Sequence, residues 1–159
     1  MIMSDSEQTG LTPSVTKAFI YLGRCDRAVP AILAMESPEE PGYETPRGKI
    51  EDGETIVEGA LRELREESGH VPRTPLERLA VVRWRDEEQH FFVGLAEGGL
   101  PDRFDHVVTG EGGDNGMTCR YSWIDLDDRA NMRLVQGSDR CLSELRRWIA
   151  TNSQPDGTS

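Results

Sequence analysis

Three glutamates lie close together in the stretch RELREESG, where Glu63, Glu66 and Glu67 follow Arg62. Apolar residues recur at helical spacing across residues 55–68, which predicts a helix there. These apolar residues are Ile56, Val57, Ala60, Leu61 and Leu64. At about 100° per residue, the three carboxylates share an arc of about 100° beside the apolar face. The sequence therefore predicts a carboxylate cluster at the border of the buried surface.

The cluster lies where a helix alone does not favour it. The glutamates are near the predicted C-terminus, where the helix dipole disfavours anions, and Glu63 has like-charged neighbours three and four residues on. One interpretation is a solvated face stabilised by pairs of Arg62 with Glu58 and Glu66. The other is a bound divalent cation, because Mg²⁺ and Mn²⁺ take carboxylate oxygens and leave positions for substrate phosphates. We favour the cation, since stability alone does not explain the position.

A long loop precedes this helix. The stretch SPEEPGYETPRGKIEDGE contains three prolines and three glycines, which argue against a regular element through most of it. Gly48 lets the main chain approach closely, so its carbonyl could reach the same ion. Thr55 can cap the start of the helix, and Gly69 stands where a left-handed cap ends it.

The elements around this helix are mostly strands. Alternating or continuous apolar runs predict strands at residues 15–23, 28–36, 76–86, 89–97 and 118–126, the first two forming a hairpin. A second amphipathic helix is predicted over residues 139–150. Strands, helix, strands and helix in this order indicate a mixed α/β fold with helices packed on a sheet.

Length and composition indicate one domain. The chain has 159 residues, 36% of them hydrophobic, and a net charge of −11. We expect a single domain at 14–150, with flexible segments at 1–13 and 151–159. The acidic charge argues against binding of duplex nucleic acid or of a membrane surface, and no apolar run has the length of a membrane span. Three widely spaced cysteines and no apparent leader favour a cytoplasmic protein.

With these residues in place, the stretch from Gly48 to Gly69 resembles the Nudix box of MutT-like hydrolases, GX5EX7REUXEEXGU, where U is a bulky apolar residue. Every fixed polar and glycine position of the box is present, with Glu54 as its first glutamate. Two positions depart from the usual pattern. His70 stands where an apolar residue is usual, and Arg47 replaces the first glycine of the common Gly-Gly entry. A basic residue at that place resembles a variant of some members that cleave dinucleoside polyphosphates and nucleotides.

The resemblance implies a Nudix-type α/β/α sandwich with a mixed central sheet and the box helix packed on it. It implies hydrolysis of a nucleoside diphosphate linked to another moiety, by water attack on phosphorus with Mg²⁺ or Mn²⁺ as cofactor. The implied metal ligands are Gly48, Glu63, Glu66 and Glu67. The implied catalytic group is Glu63, Arg62 and Glu54, in which Glu63 orients or deprotonates the water and the other two hold the carboxylates in place.

Several alternatives stay open at this point. The catalytic base could come from Glu111 or Asp114 in the glycine-rich loop before the last strand. The protein could be a non-catalytic sensor of a nucleotide derivative, or an isomerase acting on isopentenyl diphosphate, which would need Cys25 or Cys119. A small-molecule nucleotide is the expected substrate, and proteins of this kind are often homodimers. Trp84, Phe91, Phe92, Tyr121 and Trp123 are expected in the core rather than on a base. For the histidines His90 and His106 we expect structural roles.

Overall fold

The computed structural model describes residues 3–4, 12–110 and 115–152. The strands within these ranges are β1 (Met3–Ser4), β2 (Val15–Arg24), β3 (Ala31–Glu36), β4 (Tyr43–Glu44), β5 (Arg47–Lys49), β6 (Glu77–Trp84), β7 (Glu87–Leu95), β8 (Arg103–Val107) and β9 (Thr118–Asp125). The helices are α1 (Ile56–Ser68), α2 (Ala130–Arg133) and α3 (Leu142–Asn152). None of these helices combines the length and the apolar character needed to cross a membrane.

All described strands belong to one mixed sheet. Its order is β1-β6-β7-β2-β3-β9-β8, with β4 added to β3 and β5 added to β2. The central pair, β2 and β7, is parallel from Val15 opposite Glu87 to Gly23 opposite Leu95. The pairs β6–β7, β3–β9 and β8–β9 are antiparallel. The mixed α/β sheet expected from the sequence is therefore confirmed.

Both faces of the sheet are buried. Successive side chains of a strand point to opposite faces. Along β2, Ala18 and Ile20 accordingly pack in one hydrophobic cluster with Leu64 of α1, whereas Phe19 packs in a second cluster with Leu145 of α3. Helix α1 covers one face, and α3 with the short α2 covers the other, which is the predicted α/β/α sandwich with the box helix on the sheet.

Helix α1 begins and ends at the predicted residues. Thr55 and Glu58 form a capping box, and Gly69 has a left-handed φ of 78° with its N–H on the carbonyl of Arg65. The buried face differs from the apolar stripe in the sequence, since Val57 is 38% exposed while Glu67 is only 7% exposed. A carboxylate thus lies within the buried face of the helix, a position that sequence periodicity alone assigns to an apolar residue.

Other elements depart from the sequence prediction. The hairpin of β2 and β3 is short, with Gly23 opposite Ile32 and Arg24 opposite Ala31, because β5 occupies residues 17–19 of β2 instead. The loop before α1 contains the short strands β4 and β5. Strand β8 has no apolar run to reveal it and pairs only with β9. Strand β1, which belongs to the segment 1–13, pairs with Val81 and Val82 of β6. The domain boundaries at 14 and 150 stay a prediction.

Candidate active site

The main chain at Gly48 lies directly against the carboxylate of Glu63. A Cβ atom at position 48 would fall 2.0 Å from Cδ of Glu63 and 2.2 Å from its Oε2. Every other residue type would therefore displace this carboxylate. Strand β5 is held on β2, with Gly48 opposite Ala18, so the sheet fixes the main chain that faces Glu63.

Arg62 joins three of the predicted site carboxylates through one guanidinium group. It donates two hydrogen bonds to Glu54, from Nε to Oε2 at 3.1 Å and from Nη2 to Oε1 at 2.7 Å. Its Nη1 donates to Oε1 of Glu63 at 2.9 Å and to Oε1 of Glu66 at 3.1 Å. Nη2 also donates to the carbonyl of Lys49 at 2.9 Å, which ties the loop to the helix. The planar fork of arginine is suited to such multiple contacts.

The environment moves the pKa values of this group in opposite directions. The hydrogen bonds from Arg62 hold the pKa of Glu54 below its ordinary value, and its pKa is lowered further by the main-chain N–H of Glu51. Burial raises the pKa of Glu63 despite the opposing contact with Arg62, and the charge of Glu66 adds to the rise. Of these carboxylates, Glu63 is thus the one whose environment favours taking up a proton.

Glu67 reaches the same region from the buried side of α1. Its Oε1 accepts a hydrogen bond from the main-chain N–H of Arg47 at 3.3 Å. The hydroxyl of Tyr121 donates to the carbonyl of Glu67 at 2.9 Å, which anchors the last turn of the helix to β9. The site thus combines the C-terminal half of α1, from Arg62 to Glu67, with Arg47 and Gly48 at the start of β5.

A further glycine contacts the site from a distant part of the chain. Gly110 has a φ of 104°, and a Cβ atom there would lie 2.5 Å from Oε1 of Glu66. The N–H of the preceding Thr109 donates to the carbonyl of Glu66 at 3.1 Å. The sequence pattern did not single out Gly110, although its place at the start of the glycine-rich loop was a signal. The candidate bases Glu111 and Asp114 lie outside the described residues, so their role stays a prediction.

The residues of the site fit a hard divalent cation by their chemistry. Carboxylate oxygens and a main-chain carbonyl are the donors that Mg²⁺ and Mn²⁺ prefer. The close approaches at Gly48 and Gly110 are made to two of the predicted ligands, Glu63 and Glu66. In the part of the chain that the structure describes, no three His, Cys, Asp or Glu side chains are grouped as a metal site. Arg62 instead bonds Glu63 and Glu66, and the ligand set of Gly48, Glu63, Glu66 and Glu67 stays a prediction.

Two cavities that share three lining residues lie on this side of the molecule, one of them against Glu67. The smaller, about 270 Å³, is lined by Gly48 and Glu67 together with Lys17 and Arg47. The larger, about 640 Å³, shares Lys17, Glu39 and Arg47 with it and is also lined by Phe19, Gln89 and Arg140.

The aromatic residues named from the sequence lie largely in the core. Phe91, Phe92, Tyr121 and Trp123 are buried, as expected, whereas Trp84 is 43% exposed and lines the larger cavity. The histidines fit structural roles, since His90 is buried in β7 and the ring of His106 packs against Gly69. Lys17 and Arg140 also line the larger cavity, and no motif in the sequence distinguished them from other surface cations.

Comparison with known proteins gives the same fold. A family model of the NUDIX domain matches residues 15–145. The NUDIX domain of Shewanella oneidensis NrtR, complexed with ADP ribose, has a TM-score of 0.63 at 16% identity, covering 87% of this chain and 90% of that chain. An Ap4A hydrolase of Caenorhabditis elegans, solved as a binary complex, has a TM-score of 0.60 at 16% identity, covering 86% and 98%.

A MutT structure from work on Aliivibrio salmonicida and Vibrio cholerae has a TM-score of 0.59 at 22% identity, covering 82% of this chain and 95% of that chain. At these identities the likenesses show the fold alone. No curated protein matches the chain. The family match, however, runs from the start of β2 into α3 and includes the whole carboxylate site. Since it covers most of the chain, the protein belongs to the Nudix family.

Proposed function

We propose that the protein hydrolyses a pyrophosphate bond in a nucleoside diphosphate linked to another moiety, such as a nucleoside triphosphate, with Mg²⁺ or Mn²⁺ bound at α1. The family to which the chain belongs acts on nucleoside diphosphate derivatives in general. The observation that carries the proposal is the contact set of Arg62, which holds Glu54, Glu63 and Glu66 together while Gly48 lies against Glu63.

Gly48, Glu63, Glu66 and Glu67 would hold the metal ion through oxygen atoms. A bound divalent cation would neutralise phosphate charge and lower the pKa of a water molecule. The chain itself supplies position and a proton acceptor. Arg62 bonds Oε1 of Glu63, so Oε2 is the oxygen that would accept the proton of the attacking water. The water oxygen then forms a bond to phosphorus, and the anhydride P–O bond breaks.

Arg62 and Glu54 would act as positioning residues. Two hydrogen bonds fix the guanidinium on Glu54, and Glu54 also accepts the N–H of Glu51 at 2.8 Å. Removing Arg62 leaves Glu63 and Glu66 without their common partner, and removing Glu54 takes away the two hydrogen bonds that hold this partner in place. Such support is expected to matter because a carboxylate displaced by about 1 Å can lose about a hundredfold in rate.

The comparisons support the substrate class. The NrtR domain is described with ADP ribose and the Caenorhabditis elegans protein as a hydrolase of Ap4A, both of which are nucleotide derivatives. The two cavities of this chain, which share Lys17, Glu39 and Arg47, offer space for the groups on either side of a diphosphate. We therefore extend the class, but no individual substrate, to this protein.

Turnover of a nucleotide panel tests the proposal. The panel contains nucleoside triphosphates, dinucleoside polyphosphates, ADP-ribose, NADH and 5′-triphosphorylated RNA, each with Mg²⁺ or Mn²⁺. We expect metal-dependent cleavage of at least one compound, which Glu66→Gln and Glu67→Gln remove while the circular dichroism spectrum is kept. Glu97→Gln, which removes an equal charge from an exposed position, is the control. Undiminished turnover in the two site variants contradicts the mechanism, and binding without cleavage by the wild type favours the sensor instead.

A further inference from the structure

The larger cavity concentrates positive charge on a protein of net charge −11. Lys17, Arg47, Arg85 and Arg140 line it, against the three acidic residues Glu39, Asp86 and Glu87. The cations exceed the acids by one, on a protein whose overall charge is strongly negative, so this wall is a comparatively favourable place for an anionic ligand. A cation that forms no ion pair with a carboxylate of the protein is the better candidate to bind an anionic ligand.

Two of the four cations are already paired with carboxylates. Lys17 lies 2.8 Å from Oε2 of Glu87, and Nη2 of Arg47 lies 3.1 Å from Oε1 of the buried Glu44. Arg140 has no such partner, since no ion pair joins it to a carboxylate within the described ranges; its Nη1 donates to the neutral side chain of Gln89 at 2.8 Å. Arg140 thus brings a charge to the cavity wall that no carboxylate balances at short range.

The guanidinium of Arg140 is nevertheless held in one place. It lies 4.1 Å from the centre of the Trp84 ring, a distance at which a cation is attracted to the ring face. Gly137 lies on another side, where a Cβ atom would fall 2.3 Å from Nη1. Gln89 is itself fixed, because its Nε2 donates to Glu87 at 2.8 Å. A partly buried, positioned arginine of this kind needs little reorganisation to receive an anion.

The electrostatic environment of Arg140 also favours binding of an anion. Burial lowers the pKa of Arg140, and the positive charge of Arg47 lowers it further, against the charges of Asp139 and Glu87. The guanidinium stays charged, because its ordinary pKa is far above neutrality. An anion beside the guanidinium would offset both the cost of burying its charge and its repulsion from Arg47.

Taking the proposed hydrolysis as given, we propose that Arg140 binds a phosphate group of the substrate beyond the diphosphate that is cleaved at α1. Lys17 and Arg47 line both cavities, so a substrate that reached from one position to the other would pass these two cations. Substrates with a third phosphate, as in a nucleoside triphosphate or a dinucleoside polyphosphate, would therefore be preferred over derivatives with two phosphates, such as ADP-ribose.

Binding of inorganic tripolyphosphate without divalent metal tests the subsite apart from catalysis. Calorimetry at low ionic strength should show saturable binding that weakens at least tenfold in Arg140→Gln. The matched control is Arg147→Gln, which removes the same charge from an exposed position on α3 and should change the affinity less than twofold. Arg140→Lys, which keeps the charge without the fork, should lie between them. Equal affinity in wild type and Arg140→Gln, or equal losses in Arg140→Gln and Arg147→Gln, overturns the proposal.

Kinetics with paired substrates give the second readout. In Arg140→Gln, kcat/KM should fall about tenfold for ATP and less than twofold for ADP-ribose, and an equal fall for both contradicts a phosphate subsite. If adenosine inhibits ATP hydrolysis competitively and tripolyphosphate does not, the larger cavity binds the nucleoside, and the proposal is overturned. If no nucleotide is hydrolysed, the proposed function fails, while the tripolyphosphate titration still decides the role of Arg140. If Arg140→Gln does not fold, the titration of Arg140→Lys against Arg147→Gln decides it.

Discussion

At Gly48 the main chain lies directly against the carboxylate of Glu63, the proposed proton acceptor. A Cβ atom at this position would lie 2.0 Å from Cδ of Glu63, a distance that only movement of the carboxylate can relieve. We expect Gly48→Ala to fold, because the end of a glutamate side chain can swing away, and to lose about a hundredfold in kcat/KM from the displaced carboxylate.

The control for this substitution is Gly98→Ala. Nothing lies within 4 Å of a Cβ atom at Gly98, so this variant should keep both its activity and its unfolding temperature. Normal activity in Gly48→Ala would show that the close approach of main chain to Glu63 has no part in turnover. Unfolding temperatures of both variants separate a local from a global effect.

Glu54 gives a prediction for the pH dependence of stability. Arg62 lowers its pKa in the folded state below the ordinary value of 4.5. The ionised form therefore stabilises the fold fully above pH 4.5, and this contribution is lost as the pH falls through the folded-state pKa. Glu54→Gln should unfold at a lower temperature than wild type at pH 7, and the difference should narrow below pH 4.5. A difference that is constant from pH 7 to pH 3 contradicts an ionic role.

Three of the predicted site residues share one element. Glu63, Glu66 and Glu67 lie on consecutive turns of one helix, so their spacing alone brings them together. Gly110 and Arg140 reach the region from segments far along the chain, and only the folded sheet shows which distant residues become neighbours. The burial of Glu67 was equally hidden, because a periodicity of apolar residues cannot reveal a carboxylate in the buried face.

At the level of elements, α1 was the most predictable part of the chain. Its caps, its length and its apolar spacing all indicate the same helix, and the structure has it at Ile56–Ser68. Strands β4, β5 and β8 were not predictable in this way. They are short or lack an apolar run, and they exist because a neighbouring strand supplies hydrogen-bonding partners.

The capping box of α1 allows a test of how firmly this helix is fixed. The side chain of Thr55 accepts the N–H of Glu58 at 3.1 Å, and the carboxylate of Glu58 accepts the N–H of Thr55 at 2.7 Å. Thr55→Ala should cost about 1 kcal/mol and lower the unfolding temperature by about 2–4 °C. Thr55→Ser keeps the acceptor and serves as the control. An equal loss of stability in both variants would assign the effect to packing rather than to the cap.

For the whole molecule, we expect stability to depend on cations in two separable ways, through the acidic charge and through the proposed metal site. Any salt screens repulsion in a chain of net charge −11, whereas only a bound ion stabilises by mass action. At a hundredfold excess over Kd, a site that exists only in the folded state adds about 2.7 kcal/mol. We expect Mg²⁺ or Mn²⁺ to raise the unfolding temperature by roughly 5–10 °C, beyond the effect of NaCl at equal ionic strength.

The rise in unfolding temperature beyond that caused by NaCl should disappear in Glu66→Gln and Glu67→Gln and persist in Glu97→Gln. Without metal, Glu67→Gln should be at least as stable as wild type, since it removes one of several like charges from the end of α1, whereas in Glu66→Gln this gain is offset by the weakened contact with Arg62. Scanning calorimetry with increasing metal concentration measures both effects in one series. A rise that NaCl reproduces, or that survives in both site variants, would mean that the divalent ion acts on the overall charge and not at the helix.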